Sequence, residues 1–218
     1  METQQLILIK RQFKLMNQQV VENYPSETGG FFGGLDNVIL GIFPLANKYT
    51  GLKAKDTFSI TEDDIYFAQK FFKDAKLQIM GMYHSHPNGA PAPSDQDMTH
   101  LVGDKFGRHH LIVSIKPHNL LKQKFNVSKN EPAYQIRVGL YYCPSHKQKI
   151  PIELKIVEDS AVHHYINGNN SSDLASNTVI QDYFKLEERI SQMIQTGRVD
   201  YEKEDSFRLS SSNFNIDT

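Results

Sequence analysis

The spacing of apolar and polar positions resolves most of this 218-residue chain into short strands and helices. Residues 4–9 read as a strand, and over Arg11–Asn23 the apolar positions Phe13, Met16, Val20 and Val21 fall at helical spacing. Pro25 ends that helix, because the residue before a proline is driven out of the α region. In the stretch Gly29-Gly30-Phe31-Phe32-Gly33-Gly34, four glycines around a Phe pair predict a short strand that another backbone approaches closely. Asp36-Asn37 is a turn, Val38–Ala46 is apolar with little alternation and predicts a central strand, and a further strand is expected over Thr57–Ile60. Thr61 with Asp64 three residues on is close to a capping box, and Ile65, Phe67, Ala68, Phe71 and Phe72 share one helical face, so a helix is placed at about 62–74. Leu77–Tyr83 reads as a buried strand and Asn88–Pro93 as an ordered loop with Gly89, Pro91 and Pro93. Ser94 then resembles an N-cap, with Asp97 at the third helical position and Met98 and Leu101 behind it. Strands follow at His110–Ile115, Ala133–Tyr142 and Ile150–Val157, and Pro117–Pro132 is an insertion loop with a cluster of Lys and His residues beside and within it.

Beyond Val157 the pattern changes. Asn167-Gly168-Asn169-Asn170-Ser171-Ser172 has the composition of a linker, Thr178–Gln195 regains helical spacing, and Tyr201–Thr218 is polar. The chain is therefore expected to divide into a folded domain at 1–157, a flexible linker at 158–177, an amphipathic helix at 178–196 and a disordered tail at 197–218. Apolar residues at 39%, among them 13 Phe and 10 Tyr, are enough for one ordinary core. With 24 basic against 25 acidic residues the formal charge is −1, which argues against a nucleic-acid or anionic-membrane partner. The apolar run Leu6-Ile7-Leu8-Ile9 is too short for a signal segment or a spanning helix, and the expected location is the cytoplasm. The single cysteine, Cys143, has no partner for a disulfide or a cysteine metal pair and reads as a packed strand residue.

The chemistry concentrates at Tyr83-His84-Ser85-His86-Pro87, followed across a spacer from Pro87 to Pro93 by Ser94-Asp95-Gln96-Asp97. On a strand, residues i and i+2 share a face, so His84 and His86 can reach one ion. A Pro- and Gly-constrained loop lets Asp97 fold back over the strand end and add a third ligand. Three ligands drawn from His and carboxylate, with a fourth position open, suit a catalytic rather than a structural zinc. Ser94 and Asp97 can equally be a plain capping pair, and Ser94 can cap while also presenting its hydroxyl to the site. Such a site needs a general base, and Glu27, between a proline turn and a glycine-rich strand, is the best candidate.

Tyr24-Pro-x-Glu27-x-x-Gly30-Phe-Phe-x-Gly34 with His84-Ser-His86-Pro and Ser94-x-x-Asp97 resembles the JAMM (MPN+, JAB1/Mov34/PAD-1) zinc metalloproteases over about residues 5–157, and is similar to their prokaryotic stand-alone members. The resemblance implies an α+β type of α/β fold: a mixed, curved β-sheet flanked by helices with cytidine-deaminase-like layering, here with a C-terminal helical extension. It implies one Zn²⁺ per chain on His84, His86 and Asp97, Glu27 as the base that activates water, and Ser94 as the oxyanion donor, with Ser85 structural. The implied reaction is hydrolysis of the peptide or isopeptide bond after the C-terminal Gly-Gly of a ubiquitin-like or sulfur-carrier protein, or of its conjugate. E1-like and E2-like enzymes are the implied pathway partners, in settings that include anti-phage defence. A side-chain-free tail could lie against the enzyme backbone as an added edge strand. Two other readings stand beside this one: a RadC-like protein associated with DNA repair, and a non-catalytic binding module with a structural zinc.

Overall fold

In the computed structural model, residues 5–103, 106–118 and 133–161 are described. The expected linker beyond 161, the helix at 178–196, the tail at 197–218, and Lys122, Lys124 and Lys129 of the insertion loop lie outside them. Seven strands and three α-helices follow in the order β1 (Gln5–Ile9), α1 (Lys10–Asn23), β2 (Gly29–Leu35), β3 (Val38–Leu45), α2 (Glu62–Asp74), β4 (Gln78–Pro87), α3 (Asp95–His100), β5 (His109–Pro117), β6 (Tyr134–Ser145) and β7 (Gln148–Val157). The sheet is mixed, as expected for the α+β class, and it closes: its order is β1-β3-β2-β4-β5-β6-β7, with β7 returning to pair with β1. Closure is parallel, from Gln5 opposite Glu153 to Ile9 opposite Val157. Just past it, Lys10 pairs with Glu158 and the Arg11 guanidinium lies 2.9 Å from Asp159, so the fold continues beyond the expected boundary at 157.

Each strand therefore has a neighbour on both sides, but the ladders do not run full length: β7 pairs with β6 only over Leu140–Ser145, and the β2–β4 ladder ends at His84. The core runs through the strands as the sequence pattern anticipates, with Ile7, Leu8, Phe31, Phe32, Ile39, Leu40, Ile42, Met82, Tyr83 and Leu111 all buried. β3 is buried along its whole length because β1 and β2 flank it. α2 spans the expected residues, and its capping box is complete: the Thr61 hydroxyl accepts from Asp64 N while the Asp64 carboxylate accepts from Thr61 N. No described helix is long and apolar enough to cross a membrane.

Two expectations are corrected. Residues 57–60 form no strand; the Thr57 carbonyl is taken by the side-chain amide of Asn47 at 2.7 Å instead of a ladder partner. Helix α1 buries Gln12, Leu15, Met16, Gln19 and Val20, a stripe that includes two glutamines and leaves Phe13 and Val21 only partly buried. Both glutamines are held in the interior by hydrogen bonds. Gln12 accepts from Ile42 N, and Gln19 donates to the Thr28 hydroxyl and to the carbonyls of Gly29 and Leu45 while accepting from the Tyr83 hydroxyl at 2.6 Å. The network therefore ties α1 to Thr28 and Tyr83, which adjoin Glu27 and His84 in the chain.

Candidate metal centre

His84 and His86 occupy the C-terminal half of β4, on the same face of that strand. β4 lies between β2, antiparallel, and β5, parallel, so the pair is held by ladders on both sides. Gly29 stands opposite His84, and a Cβ there would come 2.3 Å from the Tyr83 carbonyl and 2.8 Å from the His84 Cβ. Only glycine allows β2 to lie this close. Ser85 points away from the pair: its hydroxyl accepts from Thr28 N at 3.0 Å and its own N–H donates to the Thr28 carbonyl at 2.7 Å. This is the structural role expected for it.

After Pro87 the chain turns through Asn88, whose φ of 61° is left-handed. The loop is fastened at several points. Asn88 N donates to the Ile115 carbonyl, the Ser114 hydroxyl to the Gly89 carbonyl at 2.7 Å, and the Lys149 ammonium to the Pro93 carbonyl at 2.6 Å. It delivers the chain to α3, where Ser94 caps Asp97 N and the Asp97 carboxylate accepts from Ser94 N at 2.6 Å. That capping box fixes the direction of the carboxylate. Ser94 is exposed, and accepting from Asp97 leaves its hydroxyl hydrogen for a donor role.

His84 Nε2 lies 3.1 Å from Asp97 Oδ1, His86 Nε2 3.2 Å from Asp97 Oδ2, and the two Nε2 atoms 2.9 Å from each other. A tetrahedral zinc with bonds of about 2.0–2.1 Å has ligand-to-ligand edges of about 3.3 Å, and the two nitrogens and the two carboxylate oxygens converge at about that spacing. The donor chemistry also fits. His86 donates from Nδ1 to the Ala90 carbonyl at 3.0 Å, which in the neutral ring makes Nε2 the lone-pair nitrogen facing the other two ligands. Two imidazole nitrogens and a carboxylate that converge in this way need a proton or a cation between them. Among the described residues, these three are the one group of His, Cys, Asp or Glu side chains arranged to hold a metal ion.

Burial opposes ionisation of Asp97, but hydrogen bonds from His84 and His86 outweigh it and hold its carboxyl far below the usual carboxylate range. His84 is fully buried, and this keeps its imidazole below the ordinary value despite Asp97. The more open His86 is raised, because the hydrogen bond and charge of Asp97, with Glu27, overcome its own burial. Glu27 is pushed up to about 7, chiefly by burial; His86 pulls it down, while Asp97 and Asp56 add to the rise. The electrostatic coupling of Glu27 to His86 and Asp97 marks it as a neighbour of the triad, and a cation held there would lower its pKa.

The remaining parts were not legible as site residues. Phe58, buried on the irregular segment before α2, lies parallel to the His84 ring with centroids 6.5 Å apart and planes 8° from parallel. Its one sequence signal is a large apolar residue among polar neighbours. Asn47 donates from its amide to the Glu27 carbonyl at 3.0 Å and to the Thr57 carbonyl. Cys143 is buried on β6 against Met98, and burial lifts its thiol to about 11, as fits a packed residue and not a nucleophile.

A family model described as prokaryotic homologs of the JAB domain matches residues 10–126. The chain is similar to a protein of Desulfitobacterium hafniense solved in solution, at 20% identity and a TM-score of 0.54 over 73% of this chain and 97% of that one. At that identity the likeness concerns the fold. It is also similar to a structure described as a JAMM metalloprotease-like zinc site in the proteasome and signalosome, at 16% identity and a TM-score of 0.39 over 70% of this chain and 98% of that one. A JAB1/MPN domain protein from Archaeoglobus fulgidus matches at 18% identity and a TM-score of 0.40 over 70% of this chain and all of the other. Among curated proteins none matches.

Proposed function

The chain belongs to the prokaryotic homologs of the JAB domain, and from that membership we propose that it is a zinc metallopeptidase. Its proposed reaction is hydrolysis of the peptide or isopeptide bond after the C-terminal Gly-Gly of a ubiquitin-like or sulfur-carrier protein, or of a conjugate of one. The observation that carries this reading is the group of His84, His86 and Asp97 with a half-buried carboxyl, Glu27, coupled to it. When bound, Zn²⁺ supplies Lewis acidity and makes a water acidic enough to act near neutral pH.

The chain's own groups supply the rest. His84 and His86 present Nε2 and Asp97 presents its carboxylate to the metal, oriented by the Ala90 carbonyl and the Ser94 cap. Glu27 takes a proton from the attacking water on a carboxylate oxygen and passes it to the leaving amine. The Ser94 hydroxyl donates to the oxygen on which negative charge develops. An incoming tail takes its main-chain hydrogen bonds from the strand ends and loops that approach the site, where the β2–β4 ladder ends at His84. The absence of side chains on Gly-Gly suits that close approach. The partners proposed are the tailed protein and, in the same pathway, E1-like or E2-like enzymes.

The test combines metal analysis with turnover of a Gly-Gly peptide amide bearing an aminocoumarin leaving group, and of ubiquitin-like fusions. About one zinc per chain is expected, lost on His84→Ala or His86→Ala. Glu27→Gln is expected to keep the zinc and lose about 10²- to 10⁴-fold in rate. Protein that purifies metal-free from zinc-replete cells overturns the catalytic reading; zinc without turnover of any tailed substrate makes the chain a binding module.

A further inference from the structure

Glu27 has its backbone in no ladder. It sits between α1 and β2, outside both, and its main-chain groups turn toward the irregular connection between β3 and α2. Glu27 N donates to the Ala54 carbonyl at 2.6 Å, and the Glu27 carbonyl accepts from Asn47 Nδ2 at 3.0 Å. The same amide group donates to the Thr57 carbonyl at 2.7 Å and reaches the Ala54 carbonyl at 3.5 Å, while Asn47 Oδ1 accepts from Tyr49 N at 3.1 Å. One side chain thus holds three stations of the connection and the residue that carries the base. Directly after Thr57 comes Phe58, which lies over the ring of His84.

We propose that Asn47 is a positioning residue of this centre, fixing the Glu27 carboxylate and the Phe58 wall in one step relative to His84 and His86. The proposal rests on the metallopeptidase reading given above. On the far side, Thr28 is already tied to Ser85 between the two histidines through a pair of main-chain and hydroxyl contacts. Glu27 therefore lies between two fastenings: Thr28–Ser85 fixes its distance along β4, and Asn47 fixes the direction in which the chain enters. Removing the second leaves Glu27 attached to the strand and, through its N–H, to Ala54 on a connection that has lost its own tie at Thr57. A general base works only within hydrogen-bond reach of the proton it takes, so small displacements are expensive in rate and cost little in substrate binding. The two amide hydrogens make this task specific to Asn: an aspartate of the same shape keeps the contact to Tyr49 N but presents acceptors to the Glu27 and Thr57 carbonyls.

The experiment compares wild type, Asn47→Ala and Asn47→Asp, each with bound zinc measured and rates expressed per zinc, using the aminocoumarin amide of a Gly-Gly peptide. The expected result is a fall in kcat of about 10²-fold in both variants, with KM and zinc content unchanged. Amide hydrogen exchange of the same proteins reads the fastening without any substrate: protection at Glu27 N, bonded to Ala54, is expected to fall at least tenfold in both variants while that of Ser85 N, bonded to Thr28, is kept. A purely structural role moves the melting temperature and the exchange of both amides together and leaves kcat per zinc in place; that pattern overturns the proposal. Rates within about threefold of wild type with unchanged protection at Glu27 overturn it as well. Should wild type turn over no tailed substrate, the metallopeptidase reading fails, and the exchange data alone decide whether Asn47 holds Glu27.

Discussion

His110 supplies a quantitative test of how the interior beside the metal centre is built. It lies on β5 opposite Met82, with its side chain buried and neither ring nitrogen hydrogen-bonded among the described residues. Burial, followed by the charge of His84, lowers its pKa from 6.5 to about 4; Asp97 pulls it upward and His109 presses it down. The unfolded chain takes up this proton at the ordinary value and the folded protein only near the depressed one, so between them the unfolded state binds more protons. Stability from this group is therefore complete above the ordinary value and is lost as the pH falls toward 4. Integrating the two titrations to about pH 4.5 gives a loss of about 2–3 kcal/mol. His110→Phe removes the term. Urea unfolding of wild type and variant in the presence of chelator, from about pH 7.5 to 4.5, is expected to give curves that diverge by about 2–3 kcal/mol in favour of the variant as acid is added. At the neutral end the variant should be no less stable, because two unpartnered buried nitrogens are removed. Parallel curves, within about 0.5 kcal/mol over the whole range, would show that His110 is hydrated or paired in solution and refute the reasoning.

Three further outcomes are expected. Gly29→Ala puts a Cβ 2.3 Å from the Tyr83 carbonyl, so β4 must shift under His84; zinc affinity by competition with a chromophoric chelator should drop at least tenfold, and wild-type affinity would contradict the close approach. Phe58→Ala should cost about 3 kcal/mol of unfolding free energy and weaken zinc binding by uncovering His84, whereas equal stability would mean that Phe58 is not packed as described. Cys143, buried with its thiol at about 11, should resist iodoacetamide at about pH 8 in the native protein and react in urea; rapid native modification would refute its burial.

The local chemistry of the site was legible because it is written in short intervals. Two histidines on one face of a strand, and a Ser–Asp pair that both caps a helix and aims a carboxylate, depend only on neighbours in sequence. The same holds for the Thr61–Asp64 box that begins α2. What was not legible depends on distant partners. Residues 57–60 look like a strand, but their carbonyl at Thr57 belongs to Asn47. Gln12 and Gln19 look like solvent-facing positions on α1, and become core residues only because Ile42, Thr28, Gly29, Leu45 and Tyr83 bring matching groups. Closure of the sheet was equally hidden, since nothing in a strand's own pattern names its partner. The position of Glu27 was inferred from its setting between a proline turn and glycines, and the residue that anchors it, twenty positions on, gave no local signal.

The pairing of β1 with β7 also sets an order of events. Residues 5–9 meet residues 153–157 across nearly the whole described chain, and such distant contacts form late because loop closure must come first. During synthesis β1 emerges early, with four of its five residues destined for burial, and cannot be covered on that side until β7 has left the ribosome. A chain cut anywhere before β7 would keep β1 and β6 as open apolar edges, prone to pair with other copies. The ion pairs of Lys10 with Glu158 and of Arg11 with Asp159 sit just beyond this last seam, where they act as a clasp on a ring that is completed only at its final strand.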